Sequence, residues 1–194
     1  MNFKIVNIID LYEELGEDQV TQFLSSFYCP HNTDIEEFLK SKAIGFSRQG
    51  IAATYIVIAR DGSDNIIVGY FSLANKVILV DPVTAKNSDW RRRFSKFGKF
   101  QEETSSYLLA VPLIGQLGRN FADKADNLIR GNELISYAEE KIRVTQRIIG
   151  GKMVYIECAD EKSLVSFYEK NGYHIINHRK SAEGDLLQMI KYLK

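Results

Sequence analysis

Tyr107–Leu117 reads YLLAVPLIGQL, and Asn132–Ile149 reads NELISYAEEKIRVTQRII. The first is a nearly continuous apolar run, the pattern of a strand covered on both faces. Pro112 removes one amide donor inside it and predicts an irregularity nearby. The second places Leu134, Ile135, Ala138, Ile142, Thr145 and Ile149 on one helical face. Gly150-Gly151 ends it. A buried strand that leads through a loop into a long amphipathic helix is an α/β arrangement.

The flanking sequence extends the pattern in both directions. Phe3, Ile5 and Ile8 read as a first strand. Asp10 is placed to cap a helical stretch with Leu11, Leu15, Val20, Phe23, Leu24 and Phe27 as its broken apolar face. Thr33 and Glu36 have capping-box spacing ahead of Ile35, Phe38, Leu39, Ala43 and Phe46, and Gly50 suits the stop. Thr54–Ala59 (TYIVIA) and Ile66–Leu73 form a predicted hairpin around Arg60-Asp61-Gly62-Ser63. Lys76–Val80 continues that strand or adds another, and Asp81-Pro82 ends it. Residues 84–104 are polar and basic and read as a long excursion. Beyond the long helix, Met153–Cys158 is a buried strand. Asp160 is placed to cap a short helix to Lys170, which Gly172 terminates. Tyr173–Ile176 and Leu186–Tyr192 are two last strands around Glu183-Gly184-Asp185. The predicted order is β-α-α-β-β-β-α-β-α-β-β, a mixed central sheet flanked by helices.

Composition narrows the function classes. The 194 residues carry 25 basic and 25 acidic side chains, so no wholly basic nucleic-acid binder is indicated, although a local basic patch is allowed. An apolar fraction of 45% is too high for disorder, and the length fits a single domain over 1–194. No apolar run approaches the roughly 20 residues that span a bilayer, and no signal-peptide pattern opens the chain. Two cysteines, Cys29 and Cys158, stand far apart, and His31, His174 and His178 lack ligand spacing, so neither a disulfide framework nor a metal site is expected. A soluble cytoplasmic protein without membrane contact is the expectation.

Three constellations carry chemistry. At Ile129-Arg130-Gly131-Asn132 the long helix begins, and its first amides lack internal partners at the positive end of the dipole. Gly131 admits a close ligand and Arg130 adds a charged donor, which together make a pyrophosphate cradle. An ordinary helix start with one loop glycine is the plainer alternative. In Ser166–Tyr173 (SFYEKNGY), Phe167 and Tyr173 read as core, and Tyr168 points about 100° away from Phe167, where its hydroxyl needs a polar surrounding. Trp90–Phe100 holds five basic residues and four aromatics without an acid. Basic charge with interleaved aromatics suits phosphate backbone and base stacking. A basic loop or short helix whose aromatics pack on the domain is the alternative.

The element order, the strand–loop–helix with Arg130-Gly131, and Phe167-Tyr168-Glu169-Lys170-Asn171-Gly172-Tyr173 resemble the GNAT N-acetyltransferases (acyl-CoA N-acyltransferase fold) over essentially the whole chain. Asp34–Val57 resembles the toxin-like members of that family. The resemblance implies acetyl-CoA as co-substrate and direct transfer of acetyl to a primary amine. It implies that Leu117, Gly118 and Arg119 meet the pantetheine and thioester, and that Leu128, Ile129, Arg130, Gly131 and Asn132 receive the pyrophosphate. Tyr168 matches the family's general acid, and Glu157 is the candidate base, with a salt-bridged Glu as the alternative. The family's phosphate motif is Gln or Arg, two residues, Gly, one residue, Gly or Ala. Asp126-Asn127-Leu128-Ile129-Arg130-Gly131 keeps only the last glycine of it. Two alternatives follow: a toxin acetylating aminoacyl-tRNA, with Arg91, Arg92, Arg93 and Lys96 on the RNA, and a non-catalytic GNAT-fold interaction protein. The acceptor stays open, charged tRNA among the candidates, and a homodimer is admitted.

Overall fold

Asn7 ends strand β1 (Phe3–Asn7) and caps helix α1 (Ile8–Leu15), its side chain accepting the Ile9 amide at 2.9 Å. The cap is therefore Asn7 and not Asp10, and Ile8 belongs to the helix, where it is fully buried. The computed structural model describes residues 3–62, 64–83, 88–181 and 184–194. Met1, Asn2, Ser63, residues 84–87 of the basic excursion, and Glu183 of the last turn lie outside them. Gly16, at φ +80°, separates α1 from α2 (Glu17–Ser25) and so breaks the expected single stretch in two.

The next helical segment is α3 (Thr33–Glu37), a π-helical turn (Phe38–Lys42) and α4 (Ala43–Arg48). The expected capping box is replaced. Asn32 accepts the Asp34 and Ile35 amides, while Glu36 accepts the Cys29 amide at 2.8 Å and the Lys40 ammonium at 2.7 Å. An Asx side chain one residue earlier outcompetes the threonine. Strands β2 (Ala53–Asp61) and β3 (Asp64–Val80) form the hairpin, and Lys76–Val80 continues β3. The excursion is not wholly loop. It contains helix α5 (Ser88–Phe97) and strand β4 (Lys99–Gln101). Then come β5 (Ser106–Arg119), α6 (Gly131–Ile149), β6 (Met153–Ala159), α7 (Lys162–Lys170), β7 (His174–Ser181) and β8 (Gly184–Tyr192). The residue before α7 is Glu161, which makes no side-chain cap, so Asp160 does not cap it.

Contacts gather the chain into two compact units, Met1–Ala74 with Ile114–Glu140, and Asn75–Leu113 with Lys141–Lys194. In the first the strands run β1-β2-β3-β5, with β1 antiparallel to β2 from Phe3↔Ala59 to Asn7↔Tyr55. Its core is built on Ile8, Leu24, Phe27, Leu39, Ile56 and Tyr70. In the second the order is β3-β5-β6-β8-β7, with β4 beside β5. Helix α5 buries Trp90 and Phe94 against Ile78, Leu109, Tyr155 and Ile190. Each such side chain contributes roughly 1.5–3 kcal/mol of burial. The parallel ladder of β5 with β6 is confined to Leu113↔Tyr155, immediately after Pro112, which has no amide to donate.

Within the first unit one buried amide joins several segments. The Asn120 side chain donates to Ile67 O at 2.7 Å and Ser26 O at 3.3 Å. Its oxygen accepts the Tyr28 amide at 2.9 Å and the Ala122 amide at 3.0 Å. Two residues earlier, a Cβ on Gly118 would strike Ile35 Cγ2 and lie 3.1 Å from the Tyr70 ring and 3.2 Å from Phe27. Asn120→Ala strips partners from four backbone groups, one of them fully buried, and is expected to cost about 2–4 kcal/mol in urea unfolding. A loss under about 1 kcal/mol would show that water takes over its bonds.

Candidate functional site

The end of β5 and the loop to α6 lie in the first unit. Gly118 faces the helices of that unit, so its missing side chain serves core packing. Arg119 pairs with Asp126 at 3.3 Å and lies 4.8 Å over the Phe121 ring. Asn127 also donates to Asp126, at 3.0 Å. The carboxylate that stands in the phosphate motif is thus neutralised by a cation and an amide of this chain. Asn127 takes a left-handed φ of +64° and turns the chain towards α6. Ile129 is buried and its φ is negative, so its side chain enters the core without strain.

At the start of α6 the Glu133 carboxylate accepts the Arg130 amide at 2.9 Å. The helix therefore caps itself at the residue that the phosphate reading needs. Gly131 and Asn132 follow as the first helical positions, whose amides have no acceptor within the helix. Leu128 is half-buried and Arg130 exposed. These groups fit a small anionic ligand through two free amides and Arg130, with a third amide released if Glu133 swings away.

The second unit holds Tyr168 and Glu157. Asn171 and Gly172 close α7. The Asn171 side chain donates to Phe167 O at 2.8 Å, and Gly172 takes φ +85°. This turn returns the Tyr173 amide to Tyr168 O at 3.0 Å. Tyr173 is core as expected, whereas Phe167 is only half-buried. The Tyr168 ring stands edge-on to both, at 5.0 and 5.7 Å. It is half-buried, and its hydroxyl has no hydrogen-bond partner among the described residues. Burial, and then the Cys158 thiol, push its pKa above the ordinary tyrosine value, so the proton is held firmly at neutral pH. Cys158 is itself buried, with its pKa raised to about 11, and is no nucleophile.

Glu157 is tightly bound. Its Oε1 accepts from Tyr155 Oη at 2.7 Å, Gln188 Nε2 at 3.1 Å and Arg179 Nη1 at 3.4 Å. Burial raises its pKa, but the bonds from Tyr155 and Gln188 and the charges of Lys76 and Arg179 outweigh that, and the carboxyl lies below its usual range. An ionised carboxylate with this many donors is a poor proton acceptor. The partners Tyr155, Arg179 and Gln188 come from β6, β7 and β8. Tyr155 stands two residues before Glu157 on the same face of β6, whereas Gln188 and Arg179 are brought to it by strand pairing, Gln188 directly through the register Glu157↔Gln188.

Helix α5 divides the basic segment by function. Arg93 lies 4.9 Å over Trp90 and 4.4 Å over Tyr192, so it is occupied in packing. Arg91, Arg92 and Lys96 form the exposed face, with Arg92 beside Asp89 at 3.3 Å. Of the four aromatics, Trp90 and Phe94 are buried and Phe97 is half-buried; Phe100 is exposed.

No protein-family model and no curated protein matches the sequence. Solved structures do. AtaT complexed with acetyl-methionyl-tRNAfMet superposes with a TM-score of 0.66 at 15% identity, over 96% of this chain and 94% of that one. A tyrosine-to-phenylalanine mutant of KacT gives 0.66 at 13%, over 97% and 94%. A tyrosine-to-phenylalanine mutant of the toxin AtaT, bound to the C-terminus of the antitoxin AtaR and acetyl-CoA, gives 0.59 at 14%, over 97% and 92%. The chain therefore has the GNAT acetyltransferase fold, a mixed sheet flanked by helices, in the form taken by the AtaT and KacT toxins. No described helix is long and apolar enough to cross a membrane.

The Glu157 network sets an acid limit. Its contribution is fully present above the unfolded carboxyl value near 4.5 and is lost as pH falls through the lowered folded value. Glu157→Gln should lower stability at neutral pH and flatten the stability curve below about 4.5, read from urea melts across pH. An unchanged acid limb would show that other carboxyls control it.

Proposed function

We propose that the protein transfers acetyl from acetyl-CoA directly to a primary amine, and that this amine is the α-amine of an aminoacyl-tRNA. The observation that carries the first part is Tyr168, half-buried at the end of α7 with a protonated, unpartnered hydroxyl, in a chain of GNAT fold. In this reading the amine nitrogen attacks the thioester carbonyl, the carbon–sulfur bond breaks, Tyr168 gives its proton to the departing thiolate, and the proton lost by the nitrogen passes through solvent and restores the Tyr168 hydroxyl. The raised pKa makes Tyr168 a weaker acid than an unperturbed tyrosine, so the hydroxyl donates only as the bond to sulfur breaks and not before. The Leu117–Arg119 strand end and the amides of Gly131 and Asn132 would hold the acyl-CoA, with Arg130 on its phosphates.

The acceptor is supported by two observations. AtaT, with the same fold, is seen with an acetylated methionyl-tRNA. Glu157, our candidate base, is bound to Tyr155, Gln188 and Arg179, its pKa lowered. An aminoacyl-ester amine is acidified by its ester and carries a substantial neutral fraction near pH 7, so it needs little help from a base. The exposed face of α5 supplies Arg91, Arg92 and Lys96 for the RNA backbone.

A non-catalytic reading is favoured by one feature, the Glu133 carboxylate on the Arg130 amide. A thermal shift separates the two, because a ligand at 100 times its Kd adds about 2.7 kcal/mol. Acetyl-CoA is expected to raise Tm, and no shift would support the non-catalytic protein. Tyr168→Phe should lower turnover more than about tenfold while the acetyl-CoA shift persists. Near-normal turnover would remove Tyr168 from the chemistry.

Charge reversal at Arg91, Arg92 and Lys96 should weaken charged-tRNA binding and reduce its salt slope by roughly 2–3. Arg93→Glu should instead lower Tm. Equal effects of all four on RNA affinity would contradict the division of the helix.

A further inference from the structure

In the second unit a strand edge and a groove are left open together. The β2–β3 ladder ends at Ala53↔Leu73, but β3 runs on to Val80. Among the described residues no strand pairs with Asn75–Val80 on the side away from β5. Ile78 and Val80 turn into the core beside Trp90 and Phe94. Val77 and Leu79, on the opposite face, are 62% and 46% exposed. Val77 also lines a groove of about 490 Å³ with Phe97, Val111, Pro112, Ile149 and Met153. Ile149 is 69% exposed.

The groove wall is fixed in advance. Gln146 donates to Met153 O at 2.8 Å, Leu193 donates its amide to Lys152 O at 2.7 Å, and Gly150-Gly151 turn at φ +85° and +99°. A rigid wall needs little ordering when a ligand binds. The charged lining residues are Lys76 and Lys152, with no acid among them. Lys76 shares its charge with Glu157, while Lys152 makes no ion pair among the described residues.

We propose that this edge and groove take an extended acidic-apolar peptide segment of a partner protein. Its backbone would pair with the free amides and carbonyls of Asn75–Val80 as an added strand. Alternate side chains would then fall on one face, where Val77, Pro112 and Ile149 offer apolar contact. Acidic residues at its ends would meet Lys152 and Lys76. A second copy of this chain fits poorly. A two-fold contact would gather the lysines of both copies into one interface, with no lining acid to neutralise them. None of the lining residues is among those proposed to hold acetyl-CoA, so the inference stands apart from the acetyl-transfer reading.

Selection of displayed random 12-residue peptides on the immobilised full-length chain tests it. Enriched peptides should alternate apolar residues with at least two acids. Synthetic copies should bind the Val77→Lys, Ile149→Lys double variant at least about tenfold more weakly, and Lys152→Glu about fivefold more weakly. Methylating alternate backbone amides of the peptide should abolish binding. Both variant sites are exposed, and an unchanged melting temperature verifies the fold. The proposal is overturned by no enrichment, by enriched peptides without the acidic alternating pattern, or by binding indifferent to the double variant. A dimer in solution that the double variant dissolves would overturn it equally.

Discussion

The four hydrogen bonds of Asn120 are the constraint on which the loop between β5 and α6 depends. A loop of eleven residues that is to present free amides must not collapse onto them. Here a single buried side chain binds the loop's first turn, the end of α2 and the neighbouring strand β3 together. The cost of desolvating that amide is offset because every bond it seeks is supplied. With its origin fixed, the loop turns back at Asn127, seats Ile129 in the core and starts α6 in a defined direction. The geometry of the helix start is therefore inherited from a residue that touches none of the proposed ligand.

Much of this architecture was legible from residue patterns alone. The apolar run at Tyr107–Leu117 and the period of Asn132–Ile149 marked β5 and α6 to within a residue or two. Periodicity works there because burial on one face or both dictates composition. The caps were misread at Asp10 and Thr33 for a common reason, while at Asp160 the helix has no side-chain cap at all. Several adjacent Asx, Thr and Glu side chains compete for the same amides, and tertiary bonds such as Glu36 to Cys29 decide among them. Of the site, Tyr168 and the Gly131 helix start stood out through local motifs. Asn120 did not, since a lone asparagine after a strand is common in loops. Nor did Gln188 and Arg179 as donors to Glu157, which depend on pairing between strands.

The basic segment shows how a charge run divides once it folds. Read as a string, Arg91–Arg93 and Lys96 are equivalent. On α5, Arg93 shares a face with Trp90 and Phe97, and its guanidinium is drawn between two rings. Its neighbours project the other way and stay in solvent. The aromatics that looked available for bases mostly anchor the helix, so this face attracts polyanions by charge and only Phe100 remains for stacking. The zero net charge of the whole chain coexists with this local cationic face.

The two cysteines have a consequence of another kind. Cys29 belongs to the first unit and Cys158 to the second, and both thiols are buried with raised pKa values. To an alkylating reagent the folded chain presents no reactive sulfur. Modification at either position therefore requires the surrounding segment to open first. Each unit carries one built-in clock of its own fluctuations, and the ratio of the two labelling rates measures whether the units loosen together or one at a time.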